Sequence, residues 1–446
     1  MRRPGRPHAA GRDPDDGGRL VRLHGLVLAL LARLPGGRVR AGGVTGAEAG
    51  VVLVVHSAFG MGGTIRSSIT QANELARAGR RVTLVSITRA ADQPEPFFAV
   101  DPEVEIRLLD DPGRRRGPLG RFLRRALTAM PSLVFHPAET RARRMSLWRD
   151  LLLVREIRRH RDGLLLGTRA GLNVAVAHAA RRGVVRVGQE HVPFASYPPA
   201  LLAELSTSYR DLDALMVLTG GDAAQARELI GTEPPVVAVV PNALPDDPWT
   251  PADGRAKVIV TAGRLSRGKR QDLLVRAFAR VARRNPDWEL KIYGKGGREA
   301  SLRRLIARLE LEDRAHLMGA TDRLGDELGR ASIFVLSSEL EAFGIVLIEA
   351  MRAGLAVVST DCPHGPRELV TDGEDGLLVP TGDVRALARA MDRLVRDEQL
   401  RARLATAARD TSRAYEPAVV AERWEDTYRR AAQVRRERLG QGERPA

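Results

Sequence analysis

Short apolar runs alternate with helical segments from residue 51 onwards, and this alternation restricts the possible folds more than any other feature. The run VVLVVH at 51–56 is apolar throughout, as expected for a strand buried on both faces of a sheet. Ser67 to Ala78 has helical periodicity, Gly79 ends it, and the apolar run RVTLVSI follows. Strand, helix and strand in this order predict a parallel βαβ unit, so the chain is predicted to be α/β.

The chain contains two series of such units. Its 446 residues exceed what one ordinary hydrophobic core accommodates. The series at 51–244 and 245–416 are separated by LPDDPWTPADG, which has the proline-rich, acidic composition of a linker. They predict two doubly wound, Rossmann-like domains. An apolar stripe over 417–434 predicts a helix that crosses back to the first domain, and 435–446 are predicted to be a disordered tail.

Residues 1–50 differ from the rest by their richness in Arg, Gly and Pro. Their apolar segment, Leu26 to Ala32, is too short to span a bilayer. A disordered or wrongly assigned start, an amphipathic helix on a membrane surface and an export signal are the three interpretations. We expect a disordered or basic N-terminal extension.

Composition narrows the partners and the compartment. The only cysteine is Cys362, so an intramolecular disulfide and a Cys-rich metal site are excluded and a reducing, cytoplasmic setting fits. The net charge of +16 indicates an anionic partner, although arginine far outnumbers lysine, a bias that a GC-rich gene also produces. Aromatic residues make up 4% and are not interleaved with the basic ones, which argues against nucleic-acid binding by base stacking.

Ligands of doubly wound domains bind at the carboxyl ends of the strands, so residues in the turns after strands are the candidates for ligand binding and catalysis. Gly60, Gly62 and Gly63 follow the first strand and precede a helix, where a backbone without side chains can approach a phosphate. Arg264 and Lys269 follow the first strand of the second series, and together they suit a diphosphate. A plain tight turn and a solvated basic turn remain the alternatives.

Two glutamates flank a predicted helix start in SSELEAFGIVLIEA at 337–350. Glu341 lies on the loop after a strand, and Glu349 lies about 8 Å further along the helix. Each carboxylate can accept hydrogen bonds from a pair of sugar hydroxyls, while the helix amides between them face phosphate. A carboxylate within an otherwise apolar helix is costly without a partner, which favours a ligand-binding role for Glu349.

Taken in order, the motifs of residues 51–431 resemble the retaining glycosyltransferases of family 4. These motifs are GGTIR, QEH, PNA, GRLSRGK, YGKG, SSELEAFGIVLIEA, TDCPHGPRELV and DGLLVP. The resemblance implies the GT-B fold, in which two Rossmann-like domains face a cleft. The chain departs from the family at Arg270, where many members have glycine, and at Pro363 and Pro366 in a turn that is commonly glycine-rich. Glu368 still occupies the carboxylate position of that turn.

The resemblance also implies roles for individual residues. Arg264 and Lys269 would hold the donor diphosphate, Glu349 the ribose and Glu341 the transferred sugar. The residues expected to bind the donor are Gly62, Gly63, Arg264, Lys269, Glu341, Phe343, Gly344, Ile345 and Glu349.

Other residues are implied at the reacting groups. His191 would lie near the reacting sugar carbon, and Arg66 would face the acceptor. The residues expected to act in catalysis are Glu341, His191, Arg264 and Lys269.

The activity that the resemblance implies is sugar transfer with retention and without a metal ion. The sequence agrees with metal independence, since no D-x-D lies on a strand-end loop. The donor would be a UDP-sugar, with GDP-mannose as the other option. The acceptor would be a lipid-linked, polymeric or small carbohydrate of envelope or polysaccharide biosynthesis. A GT-B sugar-nucleotide epimerase and a basic nucleic-acid-binding protein are the alternatives.

An arginine cluster between residues 114 and 144 suits an anionic membrane surface or a phosphorylated acceptor. A cytoplasmic protein, peripheral on the inner face of the membrane, is therefore one expectation, and a solvated arginine-rich insert is the alternative. The cluster consists of Arg114, Arg115, Arg116, Arg121, Arg124, Arg125, Arg141, Arg143 and Arg144.

Overall fold

The computed structural model describes residues 14–34, 50–115, 117–231, 234–245 and 249–441. The strands of the N-terminal domain are β1 (Val51–Val55), β2 (Val82–Thr88), β3 (Glu105–Asp110), β4 (Leu164–Gly167), β5 (Val185–Gln189), β6 (Ala214–Val217) and β7 (Val236–Val239). The strands of the C-terminal domain are β8 (Val258–Ala262), β9 (Glu289–Tyr293), β10 (Ala315–Gly319), β11 (Ile333–Leu336), β12 (Ala356–Thr360) and β13 (Leu377–Val379).

The helices lie between and around these strands. Those before the linker are α1 (Pro14–Arg33), α2 (Gly63–Arg77), α3 (Pro118–Ala129), α4 (Leu147–Arg159), α5 (Ala170–Ala179), α6 (Pro199–Ser208) and α7 (Gly220–Ile230). Those after it are α8 (Gln271–Ala282), α9 (Glu299–Arg308), α10 (Leu324–Gly329), α11 (Ile345–Ala353), α12 (Gly365–Leu369), α13 (Val384–Arg396), α14 (Glu398–Ser412) and α15 (Pro417–Gln441).

Both sheets are parallel and doubly wound, as predicted. Their strand orders are β3-β2-β1-β4-β5-β6-β7 and β10-β9-β8-β11-β12-β13. Each winds outwards from a central strand, β1 or β8, so the carboxyl ends of neighbouring strands meet at one edge. Helices cover both faces of each sheet, which explains why most of the strands are apolar throughout.

Strand β3 is the one that the apolar runs did not predict. Its sequence, EIRLLD, includes two charged residues among its first three, and it forms the edge of the sheet, where five of its six residues keep some solvent exposure. An edge strand has no neighbour on one side, so it does not need the continuous apolar sequence of a central strand.

Helix α15 packs on the N-terminal domain after leaving the C-terminal one. Val420, Trp424 and Tyr428 are buried against the face of the first sheet that α2 also covers. The Tyr428 hydroxyl accepts a hydrogen bond of 2.8 Å from the side-chain amide of Gln71. The helix continues to Gln441, so the expectation of a disordered tail from residue 435 is wrong for 435–441, and 442–446 lie outside the described residues.

Helix α1 corrects the expectation of a disordered extension over residues 1–50 for the segment it covers. Its His24 and Leu28 are 2% and 7% exposed, and Leu28 joins the core of the N-terminal domain. The Nδ1 atom of His24 lies 2.9 Å from the carbonyl oxygen of Leu133, and Nε2 contacts the Glu204 carboxylate. Residues 1–13 and 35–49 lie outside the described residues.

Candidate active site between the domains

A cavity of about 490 Å³ lies between the two domains, at the carboxyl ends of both sheets. The residues expected to bind the donor, to face the acceptor or to act in catalysis line it, whereas Gly60 does not. From the N-terminal domain these are Gly62, Gly63, Arg66 and His191. From the C-terminal domain they are Arg264, Lys269, Glu341, Phe343, Gly344, Ile345 and Glu349.

Glu341 is held by residues of its own domain. Its Oε1 accepts a hydrogen bond of 2.6 Å from the Ser338 hydroxyl and pairs with the ammonium of Lys269. The Ser337 hydroxyl donates to the carbonyl oxygen of Lys269 at 3.0 Å, which ties the β11 loop to the β8 loop. Glu341 is 8% exposed, so the lysine offsets the cost of burying its charge.

Helix α11 begins at the cavity wall. Gly344 has φ of 92°, in the left-handed region that favours glycine, and it turns the chain from the Glu341 loop into the helix. The first amides of any α-helix lack acceptors within the helix, and the helix dipole makes this end positive. The start of α11 therefore offers an anion site next to Glu341.

The glycine loop after β1 comes close to the C-terminal domain. A Cβ atom at Gly62 would lie 3.8 Å from Nη2 of Arg264, and one at Gly63 would lie 3.8 Å from Cγ2 of Ile345. A longer side chain at either position would fill the space between the loop and the start of α11. The absence of side chains here keeps the cavity open between the two domains.

Glu349 reaches across the cleft. It is 1% exposed, and its Oε1 lies 3.1 Å from Nη1 of Arg66 in the opposite domain. The guanidinium of Arg66 also lies over the ring of Phe98, 5.2 Å from its centroid, a cation–π contact. The sequence interpretation did not foresee this pair, because it assigned the two side chains to different ligands.

His191 follows β5 on the N-terminal wall of the cavity. Burial lowers its pKa to about 4, the Arg169 guanidinium adds to the shift, and a contact with the Asn242 side chain opposes it. The Ser67 hydroxyl donates a hydrogen bond of 2.5 Å to Oδ1 of Asn242. His191 is therefore neutral at pH 7.

Glu368, the carboxylate of the TDCPHGPRELV motif, contacts the other domain. Its carboxylate accepts hydrogen bonds from the backbone amides of Gly220 at 2.8 Å and Gly221 at 3.1 Å, at the start of α7 in the other domain. Beside it, Nδ1 of His364 lies 3.2 Å from Oδ1 of Asp222, whose pKa is raised by burial. Glu368 thus joins the two domains at the end of a helix and does not line the cavity.

Several cavity residues had no assigned role in the sequence analysis. Asn242 was visible only as part of the PNA motif, and Tyr293 only as the residue before the glycine of YGKG. Phe98 gave no signal, because it lies in the irregular stretch between β2 and β3. Among the described residues, no group of three His, Cys, Asp or Glu side chains has the arrangement of a metal site.

The arginine cluster expected between residues 114 and 144 is divided into two groups. Arg115, Arg121 and Arg125 are exposed on α3 and the loop before it. Arg141 precedes a short 3₁₀ helix (Ala142–Arg144) that Arg144 ends, and the charge of Arg264 across the cleft acts on Arg141. Arg116 lies outside the described residues.

The comparisons with known proteins agree with this geometry. Residues 247–411 match the family model described as glycosyl transferases group 1. This segment, somewhat over a third of the chain, is similar to the group 1 glycosyltransferases. It contains the charged residues of the C-terminal wall of the cavity, which are Arg264, Lys269, Lys295, Glu341 and Glu349.

Two curated relatives extend the likeness beyond this domain. The chain is 34% identical over 383 residues to an exopolysaccharide phosphotransferase of Streptomyces coelicolor, an alignment covering 82% of this chain and 39% of that relative. The chain therefore spans well under half of that protein. It is 26% identical over 367 residues to an uncharacterized glycosyltransferase of Haemophilus influenzae, covering 81% of this chain and 95% of the relative.

Solved structures give the same fold. A crystal structure of S. aureus TarM with fondaparinux, α-GlcNAc-glycerol and UDP superposes with a TM-score of 0.68 at 15% identity, covering 85% of this chain and 99% of TarM. The fold is therefore GT-B, as predicted. The comparisons favour neither alternative from the sequence, the epimerase or the nucleic-acid-binding protein.

Proposed function

We propose that the chain is a retaining, metal-independent glycosyltransferase that takes its sugar from a nucleotide diphosphate donor. The observation that carries the proposal is the composition of one cavity. Three cations, a helix N-terminus and two buried carboxylates line it from the C-terminal domain, and a glycine loop approaches them from the N-terminal domain. The group 1 match over 247–411 and the glycosyltransferase relative support it.

The C-terminal wall is suited to a leaving diphosphate. When the bond between the anomeric carbon and the phosphate oxygen breaks, negative charge develops on the phosphate. Arg264, Lys269 and the first amides of α11 provide positive potential at that point without a divalent ion. Lys269 has three N–H donors, so it can keep its contact with Glu341 and still bind a phosphate oxygen.

The remaining roles follow from which side chains are already engaged. Glu341, held by Lys269 and Ser338, binds sugar hydroxyls and is poorly placed to act as a nucleophile. Glu349 binds the ribose, and its contact with Arg66 changes when the donor enters. In the retaining step the acceptor oxygen attacks on the face that the phosphate leaves, and its proton passes to the departing phosphate oxygen. Neutral His191 positions the sugar.

A thermal-shift screen with UDP-, GDP-, ADP- and CDP-sugars tests the donor. We expect a UDP-sugar to raise the melting temperature most, because a ligand bound across the cleft stabilises the closed protein. The TarM complex with UDP supports this choice, and GDP-mannose is the alternative. Lys269→Ala should reduce the shift, and the absence of any shift with all four donors would overturn the proposal.

Stereochemistry is tested on the product, and metal dependence is tested on the initial rate. Proton NMR should show the same anomeric configuration in donor and product, and excess EDTA should leave the initial rate unchanged. Inversion of configuration, or loss of activity that Mg²⁺ or Mn²⁺ restores, would remove that part of the proposal.

The acceptor is proposed to be a lipid-linked, polymeric or small carbohydrate of cell-envelope or polysaccharide biosynthesis. The exopolysaccharide relative supports this class. We place the protein in the cytoplasm, since Cys362 is a free, buried thiol, and on the inner face of the membrane. Among the described residues, no helix is both long enough and apolar enough to cross a bilayer.

Helix α3 supports the membrane contact. None of its residues is buried, and Leu119, Phe122 and Leu123 are 70%, 67% and 45% exposed along one side. Arg121 and Arg125 are exposed on another side, the pattern of a helix that lies in an acidic membrane surface. We expect flotation with vesicles containing acidic lipid, reduced by Phe122→Glu and absent with neutral vesicles. No flotation with acidic vesicles would remove the membrane contact alone.

A further inference from the structure

A second group of cations lies beside the cavity, on the N-terminal domain. His56 follows β1 and Arg169 follows β4, so both lie at the sheet edge that faces the cleft. Arg141 precedes the 3₁₀ helix and Arg144 is its last residue. Arg169 contributes to lowering the pKa of the cavity residue His191, so the group lies close to the reacting centre.

The segment before the 3₁₀ helix is fastened to Arg169. Nε of Arg169 lies 3.3 Å from Oε1 of Glu139, and Nη2 donates a hydrogen bond of 3.1 Å to the Thr140 hydroxyl. These two residues directly precede Arg141, so the guanidiniums of Arg141 and Arg169 are held in one neighbourhood. Among the described residues, neither Arg141 nor Arg144 forms an ion pair with a carboxylate.

Positive charge therefore exceeds negative charge in this group. Glu139 is 3% exposed, and burial raises its pKa to about 6. Burial lowers the pKa of half-buried Arg141 to about 10, and the charges of Arg169, Arg144 and the donor-side Arg264 add to the effect. Arg141 and Arg169 are half-buried, whereas Arg144 is exposed. Half-buried guanidiniums that repel one another are costly unless an anion joins them.

His56 provides an independent observation at the same place. Its Nε2 atom is buried and has no hydrogen-bond partner among the described residues. Burial and the charges of Arg169, Arg141 and Arg144 lower its pKa to about 3, so the ring is neutral. Neutral imidazole can carry a proton on Nε2 and donate it to an oxygen.

We propose that Arg141, Arg144 and Arg169, with His56, bind a phosphate group carried by the acceptor. Guanidiniums bind phosphate oxygens in pairs. The charge of Arg264, which is proposed to hold the donor diphosphate, acts on Arg141, so the two guanidiniums are close enough to interact. The acceptor class is thus narrowed to phosphorylated acceptors, whether lipid-linked or polymeric. The inference rests on the proposed function, since it takes the neighbouring cavity to hold the donor.

Calorimetric titration with a small phosphate ester tests the site. The full chain is first saturated with UDP, so that the donor phosphate site is filled, and is then titrated at constant ionic strength with glycerol 1-phosphate or with glycerol. We expect binding of the phosphate ester only, and Arg141→Gln should weaken it about tenfold or more. Arg141→Lys should restore part of the affinity, because it keeps the charge but loses the paired geometry.

Arg143→Gln is the matched control. Arg143 lies on the same 3₁₀ helix and is exposed, so its replacement changes the net charge equally. If Arg143→Gln changes the affinity for glycerol 1-phosphate by less than about twofold, the loss in Arg141→Gln is specific to that position and supports the proposed phosphate site. An equal loss in both variants, or no phosphate binding by the UDP-saturated protein, overturns the inference. If UDP itself does not bind, it is the proposed function that fails, so the two failures are distinguishable.

Discussion

The two walls of the cavity are held together in different ways. On the C-terminal wall, Glu341 has its partners, Lys269 and Ser338, within the same domain. The N-terminal wall contributes by reaching across, since Arg66 pairs with Glu349 of the other domain. The contacts of Glu341 therefore do not depend on the other domain, whereas the pair of Arg66 and Glu349 exists only when the two domains are close together. We infer that the C-terminal wall binds and activates the donor and that the N-terminal wall contributes to closure of the cleft.

The largest loss of turnover is expected from Lys269→Ala, which tests the contacts within the C-terminal wall. The change removes a phosphate partner and leaves Glu341 buried without its cation, so turnover should fall by about 10³-fold. Initial rates at saturating donor measure this. Lys257→Ala, at an exposed lysine that pairs with Asp287, should change the rate by less than about twofold. A loss under about tenfold for Lys269→Ala would contradict the assignment.

Glu341 and Glu349 should separate turnover from binding. Glu341→Ala is expected to lower kcat by about 10²-fold with little change in the nucleotide Kd, because Glu341 contacts the sugar. Glu349→Ala should raise the nucleotide Kd by about tenfold. Rates and calorimetric binding of the nucleotide measure the two effects. Equal losses of both quantities in both variants would remove the division of roles.

Replacing His191 tests whether this residue of the N-terminal wall positions the sugar or acts as a general base. If it positions the sugar, His191→Asn should lower kcat by about tenfold, less than the loss expected for a general base. Because burial holds its pKa at about 4, the pH profile of kcat/KM should show no inflection from His191 between pH 6 and pH 9. An inflection near pH 6.5 that disappears in His191→Asn would show that the ring titrates in catalysis.

Arg66 and Glu349, which pair across the cleft, should show non-additive effects on nucleotide affinity. A double-mutant cycle of Arg66→Ala and Glu349→Ala on nucleotide affinity should give an interaction energy of about 1 kcal/mol, since the two side chains touch. Arg77→Ala provides the comparison, because Arg77 lies on the same helix and pairs with Asp101 instead. Additive effects for Arg66 and Glu349 would mean that the pair carries no energy in solution.

The smallest expected effect concerns Glu190, buried beneath the N-terminal wall. Tyr197 and Asn173 donate hydrogen bonds to it at 2.7 and 3.0 Å, yet burial raises its pKa to about 7. A carboxyl whose pKa is raised by folding stabilises the protein at low pH, and this contribution is lost as pH rises through 7.

Glu190→Gln keeps the shape and stays neutral. The wild-type melting temperature should therefore fall between pH 5 and pH 8 by about 2 °C more than that of the variant. Thermal unfolding across this range measures the difference. Parallel pH curves for the two proteins would show that Glu190 does not titrate there.

Much of this site was predictable because strand-end turns are local in sequence. A parallel sheet brings the carboxyl ends of its strands to one edge, so Arg264 and Glu341, which follow neighbouring strands of one sheet, could be expected near one another from their positions alone. Phe98 and the partnership of Arg66 with Glu349 were not predictable. They depend on an irregular segment and on the distance between two domains, which no local pattern encodes.

The sequence by itself determined the α/β class, the division into two doubly wound domains and the residues that face the cleft. It could do so because burial on both faces requires apolar strands, and short turns place their residues at the strand ends. Only the tertiary structure decided the partners of charged side chains. It joined Glu368 to the amides of α7, divided the arginine cluster and brought Arg66 to Glu349, because ion pairs depend on three-dimensional distance and burial.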